Sequence, residues 1–331
     1  MERTASHAID RLEALCREKQ TRVCVGLDPR LAELPEELVQ RYVRRWGRTR
    51  EAAAAAFREF GRRVLEAVAP YAAAVKLQSA FYEEYGPAGI AALEETIRLA
   101  RAAGLWVILD AKRGDIGSTA EAYSRAYLGE PELWGKERSA PAADALTVHP
   151  YLGEEGLLPF VETCRCRGRA VFVLVRTSNP GADRLQNLPV RWPEAASGGQ
   201  NPGAGREARL YQVVAEWVAE LGRGGRGRAG FTDVGAVVAG TAPQEAAHLR
   251  ALLPETFFLV PGYGAQGAGP AEVKAAFAPG GTGAVVNSSR GLIFAYRREP
   301  YRELYRGEEF EPAVAEAARQ MRDELNAALK G

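Results

Sequence analysis

Asp110, Lys112 and Asp115 follow directly on the apolar run Leu105-Trp-Val-Ile-Leu109, at intervals of two and three. A β-strand sends alternate side chains to one face, so Asp110 and Lys112 share a face at the end of a strand that is otherwise apolar. A carboxylate and an ammonium held there are costly to bury, and proteins keep such charges mainly where they are paired and useful. The bland alternative is a structural ion pair. Lysine usage weighs against it. Of 43 Lys and Arg residues only six are lysine, and two of the six, Lys76 in Ala72-Ala-Ala-Val-Lys76-Leu-Gln78 and Lys112, lie in strand-like apolar segments. Lysine can release a proton where arginine cannot, so a chain that otherwise prefers arginine has kept ammonium chemistry at these two positions.

These residues need elements to position them. Short apolar runs alternate with helical patterns along the chain. The expected strands are Arg22–Asp28, Ala72–Gln78, Leu105–Lys112, Ala143–His149, Ala170–Arg176, Val234–Gly240, Phe257–Pro261 and Gly283–Asn287. Expected helices between and after them are Ala52–Val68, Ala88–Ala103, Ser118–Tyr127, Glu154–Cys164, Arg206–Leu221, Pro243–Leu252, Pro270–Phe277 and Pro312–Leu329. Strands alternating with helices form a parallel sheet with crossover helices, and eight such units predict an α/β fold, a (β/α)8 TIM barrel. A doubly wound open sheet is the alternative, but no Gly-x-Gly-x-x-Gly opens a helix after the first strand. The reading is one barrel domain over residues 1–331 with surface insertions near 129–141 and 181–205, and Gly222–Gly230 as a flexible connector.

Composition narrows the function. A net charge of +1 and 47% apolar residues describe a globular enzyme and give no support to non-specific nucleic-acid binding. The basic run Arg41, Arg44, Arg45, Arg48 and Arg50 alternates with Tyr42, Val43 and Trp46, the pattern of a solvated helix face. Cys16, Cys24, Cys164 and Cys166 have no zinc-site spacing, and with only His7, His149 and His248 a multi-histidine metal site or a Ser-His-Asp triad is not expected. The N-terminal residues read as a polar amphipathic helix, not a signal peptide, and no apolar run approaches the roughly 20 residues of a membrane span. The expectation is a cytoplasmic protein with reduced thiols, no metal and no cofactor.

In a barrel the active site gathers at the carboxyl ends of the strands. Those positions are Asp28, Lys76, Asp110, Lys112, Thr177-Ser178-Asn179, Tyr263-Gly264-Ala-Gln266-Gly267 and Asn287-Ser-Ser-Arg290-Gly291. Charges cluster on the early strands. The late ones end in glycines, hydroxyls and one arginine, which is the chemistry of a phosphate cradle: backbone N–H groups with Arg290 as a bidentate donor. A small phosphomonoester is the expected substrate.

Val25-Gly-Leu-Asp28-Pro-Arg30, Lys76-Leu-Gln78-Ser-Ala-Phe-Tyr-Glu83, Asp110-Ala-Lys112-Arg-Gly-Asp115-Ile116-Gly-Ser-Thr119, Arg176-Thr-Ser178-Asn-Pro-Gly181, Val260-Pro-Gly262-Tyr-Gly264-Ala-Gln266-Gly267 and Asn287-Ser-Ser-Arg290-Gly291 together resemble the orotidine 5′-phosphate decarboxylase family, in its larger bacterial subgroup. The resemblance runs from about Val23 to Tyr296, and Asp-x-Lys-x-x-Asp-Ile is its specific part. It implies decarboxylation of orotidine 5′-monophosphate to uridine 5′-monophosphate and CO2, the final step of de novo pyrimidine biosynthesis, without a cofactor. It implies that Lys76, Asp110, Lys112 and Asp115 form a charged array at the scissile carboxylate. Asp28 and Lys76 would hold ribose hydroxyls, Ser178 would meet the pyrimidine, and Gln266, Gly267, Arg290 and its neighbour Gly291 would hold phosphate. It also implies a homodimer in which Asp115, Ile116 and Thr119 enter the partner's site. His149, where asparagine is more usual, and Gly240-Thr-Ala-Pro243 depart from the family pattern.

Three other readings compete. A metal-assisted sugar-phosphate lyase or epimerase would want an acidic ligand at the end of the second strand, which here reads Lys76-Leu-Gln78. A Schiff-base aldolase would use Lys76 or Lys112 unprotonated, which the flanking carboxylates oppose. A non-catalytic phosphate-binding protein would have no need of four clustered charges.

Overall fold

The computed structural model describes residues 6–131, 133–134, 142–193, 205–305 and 309–330. Eight parallel strands close into a barrel: β1 (Val23–Leu27), β2 (Ala74–Gln78), β3 (Trp106–Arg113), β4 (Ala145–Val148), β5 (Ala170–Arg176), β8 (Val234–Val238), β9 (Phe258–Val260) and β10 (Ala284–Ser288). Their order around the barrel is β1-β10-β9-β8-β5-β4-β3-β2. Each lies within or beside one of the eight expected runs. β6 (Pro189–Pro193) and β7 (Gly205–Arg209) form a separate antiparallel pair inserted between β5 and β8.

Alternation along each strand separates two cores. Val23, Val25 and Leu27 of β1 point outward to the helices, as do Val107 and Leu109 of β3. Cys24, Ala74, Trp106, Ile108, Ala145, Phe172 and Leu259 fill the inside. Trp106, Phe172 and Phe257 meet edge to face, with centroids 6.3 and 6.5 Å apart, and close the lower barrel. Phe172 fits because its neighbour on β8 is Gly235, where a Cβ would lie 2.6 Å from the ring. The helix Ala8–Glu18 caps this lower end with Ile9 and Leu12. Its Glu13 is fully buried, bonds Arg22 at 2.9 and 3.0 Å and accepts from Gly283 N, so the cap ties down the starts of β1 and β10.

Higher up, the same inward positions turn polar. Register sets Lys76 beside Ile108, Gln78 beside Asp110, and Thr147 beside Phe172. Apolar layers below and polar groups above are what a barrel with a site at its carboxyl end requires.

Several expectations are corrected. The helix expected from Arg206 starts at Leu210, because Arg206–Arg209 pair with Pro189–Trp192 in β7 and β6. The helix expected over Glu154–Cys164 is a short 3-10 turn, Glu154–Gly156, followed by the helix Leu158–Arg167. The Gly222–Gly230 connector folds back on the N-terminal helix, where Asp10 accepts from Arg228 N and Ala229 N at 2.9 and 2.8 Å. Of the two expected insertions, most of 129–141 and residues 194–204 lie outside the described residues; the described start of the second holds the helix Ala182–Gln186 and β6. Among the described residues, no helix is long and apolar enough to cross a membrane.

Candidate active site

A cavity of about 500 Å3 opens at the carboxyl end of the barrel. Asp110 lines it and is 6% exposed. Four donors occupy its carboxylate. Oδ2 accepts from Lys76 Nζ at 2.7 Å and Gln78 Nε2 at 3.0 Å; Oδ1 accepts from Lys112 Nζ at 2.6 Å and Thr147 Oγ1 at 2.9 Å. Lys76 also lies 3.9 Å from Asp28 Oδ1.

The electrostatics follow from this arrangement. Burial alone would raise the pKa of Asp110, but the ammonium groups of Lys76 and Lys112 outweigh it and hold the carboxyl well below the usual carboxylate range. Burial would likewise lower that of Lys76, and Asp110 followed by Asp28 reverses this and raises it above the ordinary lysine value. Lys76 is thus locked as a cation and Asp110 as an anion. An imine-forming lysine needs the opposite condition.

β3 presents Lys112 in an unusual way. Pairing of β3 with β4 slips between Leu109 and Arg113, and Lys112 within this bulge has φ +49°, in the left-handed region. Its side chain is nearly half exposed into the cavity and reaches back to Asp110.

The opposite wall is the glycine-rich loop expected to cradle an anion through backbone N–H groups, two of which are instead spent inside the loop. Gly262, Gly264 and Gly267 have φ of +106°, +73° and +101°, and Gly264 N and Gly267 N bond within the loop. This leaves the loop tip folded toward the cavity with Ala265 and Gln266 lining it. Ser178 Oγ donates to Gln266 Oε1 at 2.9 Å, joining the ends of β5 and β9 across the mouth. Arg290 lines the cavity at the start of the helix Arg290–Ile293 and makes no ion pair among the described residues. Asp28 Oδ1, Asn287 Oδ1 and Ser289 Oγ are buried polar atoms of lining residues without hydrogen-bond partners in the protein. Unspent acceptors and one free guanidinium suit a polyhydroxylated anion.

The structure therefore brings Asp28, Lys76, Asp110, Lys112, Ser178, Gln266 and Arg290 into one cavity. Gly267 and Gly291 shape its wall without lining it. Asp115, Ile116 and Thr119 do not line it either: Asp115 turns onto Ile116 N at 2.8 Å, and Ile116 is 53% exposed. His149 packs its ring against Gly114, where a Cβ would lie 2.4 Å from Nε2, and so braces the Asp110–Asp115 segment from behind.

Sequence reasoning missed Thr147 and Gln186. Thr147 is a lone hydroxyl in the apolar strand Ala-Leu-Thr-Val, too ordinary in a strand to signal a role by itself. Gln186, which lines the cavity and bonds Thr177 N at 2.9 Å and Oγ1 at 2.8 Å, comes from the helix of the insertion and carried no signal.

Comparison with known proteins agrees with this geometry. A model of the orotidine 5′-phosphate decarboxylase / HUMPS family matches residues 21–303. The orotidine 5′-phosphate decarboxylase of Rhodopirellula baltica is 44% identical over 302 residues, 91% of this chain and 93% of that protein. That of Deinococcus radiodurans is 42% identical over 312 residues, 94% of each. The solved structure of Leishmania donovani OMP decarboxylase is 32% identical, with a TM-score of 0.69 over 98% of this chain and all of that one.

Proposed function

The chain belongs to the orotidine 5′-phosphate decarboxylase family, and from that membership we propose how its pocket carries out the reaction. It is a carboxy-lyase that converts orotidine 5′-monophosphate to uridine 5′-monophosphate and CO2 in pyrimidine biosynthesis.

The reaction leaves an electron pair at pyrimidine C6, in the ring plane, where no ring carbonyl delocalises it. Lys112 is the group that answers this. Its ammonium stabilises the charge as it develops, by preplaced electrostatics. The C6–carboxylate bond breaks, its electron pair stays on C6, CO2 departs, and Lys112 Nζ delivers a proton to C6 and regains one from solvent. Asp110 keeps that ammonium aimed, and its own negative charge disfavours the substrate carboxylate more than the departing CO2. Asp28 and Lys76 hold ribose hydroxyls, Ser178 meets the pyrimidine, and Gln266 and Arg290 hold phosphate in the wall shaped by Gly267 and Gly291. That distant grip helps close the Gly262–Gly269 loop and expel water. The observation that carries this reading is the Asp110 carboxylate saturated by two ammonium groups and two neutral donors at the base of a cavity whose far wall offers Arg290.

We propose further that the protein is a cytoplasmic homodimer built on one barrel domain with surface insertions. Asp115, Ile116 and Thr119 of each subunit then enter the partner's pocket. What supports this is their position beside the mouth but outside the subunit's own cavity, with Ile116, Tyr151 (81% exposed), Leu152 and Leu158 presenting apolar surface near the ends of β3 and β4.

The experiment is the fall in ultraviolet absorbance when orotidine 5′-monophosphate meets the protein in excess EDTA. The expected result is conversion to uridine 5′-monophosphate at a rate the chelator does not change. No conversion by folded protein overturns the reading. Turnover of a sugar phosphate that needs added magnesium would put the metal-assisted alternative in its place.

A further inference from the structure

Lys112 pairs a strained backbone with a displaced hydrogen bond. A non-glycine residue at φ +49° inside a strand is a conformation the surroundings must enforce. Where the β3–β4 register slips, Lys112 N–H donates to a side chain, Thr147 Oγ1, at 2.9 Å. The same hydroxyl gives its hydrogen to Asp110 Oδ1 at 2.9 Å. Thr147 is 1% exposed and sits on β4, which pairs with β3 on one side and β5 on the other. One buried hydroxyl thus accepts from the backbone of Lys112 and donates to the carboxylate that orients the Lys112 ammonium.

We propose that Thr147 is a positioning residue for decarboxylation: its hydroxyl fixes the bulge that aims Lys112 and shares Asp110 Oδ1 with the lysine ammonium. This rests on the assignment of Lys112 as the proton donor to C6. A valine at this position keeps the shape of threonine and removes both hydrogen bonds. Lys112 N–H then has no acceptor, the bulge relaxes toward regular pairing, and the ammonium leaves its place by a fraction of an ångström to an ångström. Displacements of this size at a reacting centre cost on the order of 100-fold in rate. Binding of ribose and phosphate, made by Asp28, Gln266 and Arg290 on other strands, should be left intact.

The test compares the parent protein with Thr147→Val and Thr147→Ser on orotidine 5′-monophosphate, and follows amide hydrogen exchange at Lys112 in all three. For Thr147→Val the expected result is a kcat lower by about 100-fold with KM within about threefold. Its Lys112 amide should exchange at least about tenfold faster than in the parent. Thr147→Ser, which restores the hydroxyl, should return both to near the parent values. A threonine that merely fills space would give a valine variant with unchanged kcat and a protected Lys112 amide, and that outcome overturns the proposal. Equal losses in the valine and serine variants overturn it as well, since the hydroxyl would then be irrelevant. Failure of the underlying reading is recognised separately: the parent itself would not turn over the substrate, whereas the exchange measurement needs no turnover.

Discussion

Asp110 shows how a single carboxylate can be both catalytic apparatus and a source of stability. Its folded-state pKa is depressed, so the stability it contributes is fully present above the unfolded value of about 3.9 and is lost as pH falls through the folded value below that. Lys76 has the opposite sign: its pKa is raised, so its contribution is full below the unfolded value of about 10.4 and is lost only as pH rises through the higher folded value. Between these limits the pair should be insensitive to pH. Asp110→Asn leaves buried Lys76 with only Asp28, at 3.9 Å. Removing one partner of a buried pair typically costs about 3–5 kcal/mol. Urea unfolding followed by circular dichroism should therefore show Asp110→Asn less stable by about 3 kcal/mol, with the deficit constant from about pH 8 to pH 5. A variant as stable as the parent at pH 7 would mean that the carboxylate is dispensable to the fold.

The elements were legible where burial wrote them into the sequence. Buried parallel strands are near-continuous apolar runs, and Val23–Leu27, Ala170–Val175 and Val234–Val238 could be recognised for that reason. The β6–β7 pair could not. Gly205-Arg-Glu-Ala-Arg209 buries only Ala208, and its pairing with Pro189–Pro193 depends on a partner across an intervening segment and not on its own pattern. Thr147 was hidden for a different reason: a threonine in a strand is ordinary, and its role appears only once the bulge in β3 is known. Close approach between strands was equally silent. Gly26 on β1 lies where an added Cβ would come 2.7 Å from Ser289 Cβ and 3.2 Å from Asn287 Oδ1. Its lack of a side chain lets the end of β10, and with it Arg290, stand against β1. Gly26→Ala should push that end outward and loosen the phosphate wall, raising KM for orotidine 5′-monophosphate by about tenfold or more while kcat changes little. Steady-state kinetics decides it; an unchanged KM would show that β10 can give way without moving Arg290.

At the scale of the whole molecule, one subunit does not account for all the residues that the family pattern places at the reacting carboxylate. The cavity of a single chain holds Lys76, Asp110 and Lys112, while Asp115 faces away onto its own backbone at Ile116 N. The proposed two-fold dimer would resolve this, because an isologous contact lets each chain give to its partner what it receives. In the proposed dimer each active site would combine Lys112 of one chain with Asp115 of the other, so the two residues can be removed on different chains. Lys112→Ala and Asp115→Ala homodimers should each be nearly inactive. Co-expressed in equal amounts, half of the dimers are mixed, and each mixed dimer has one site lacking both residues and one with both intact. About one quarter of the parental activity should return, and it should follow the mixed species isolated with two different affinity tags. If each cavity drew Asp115 from its own chain, every site in the mixture would carry one lesion and no activity would return.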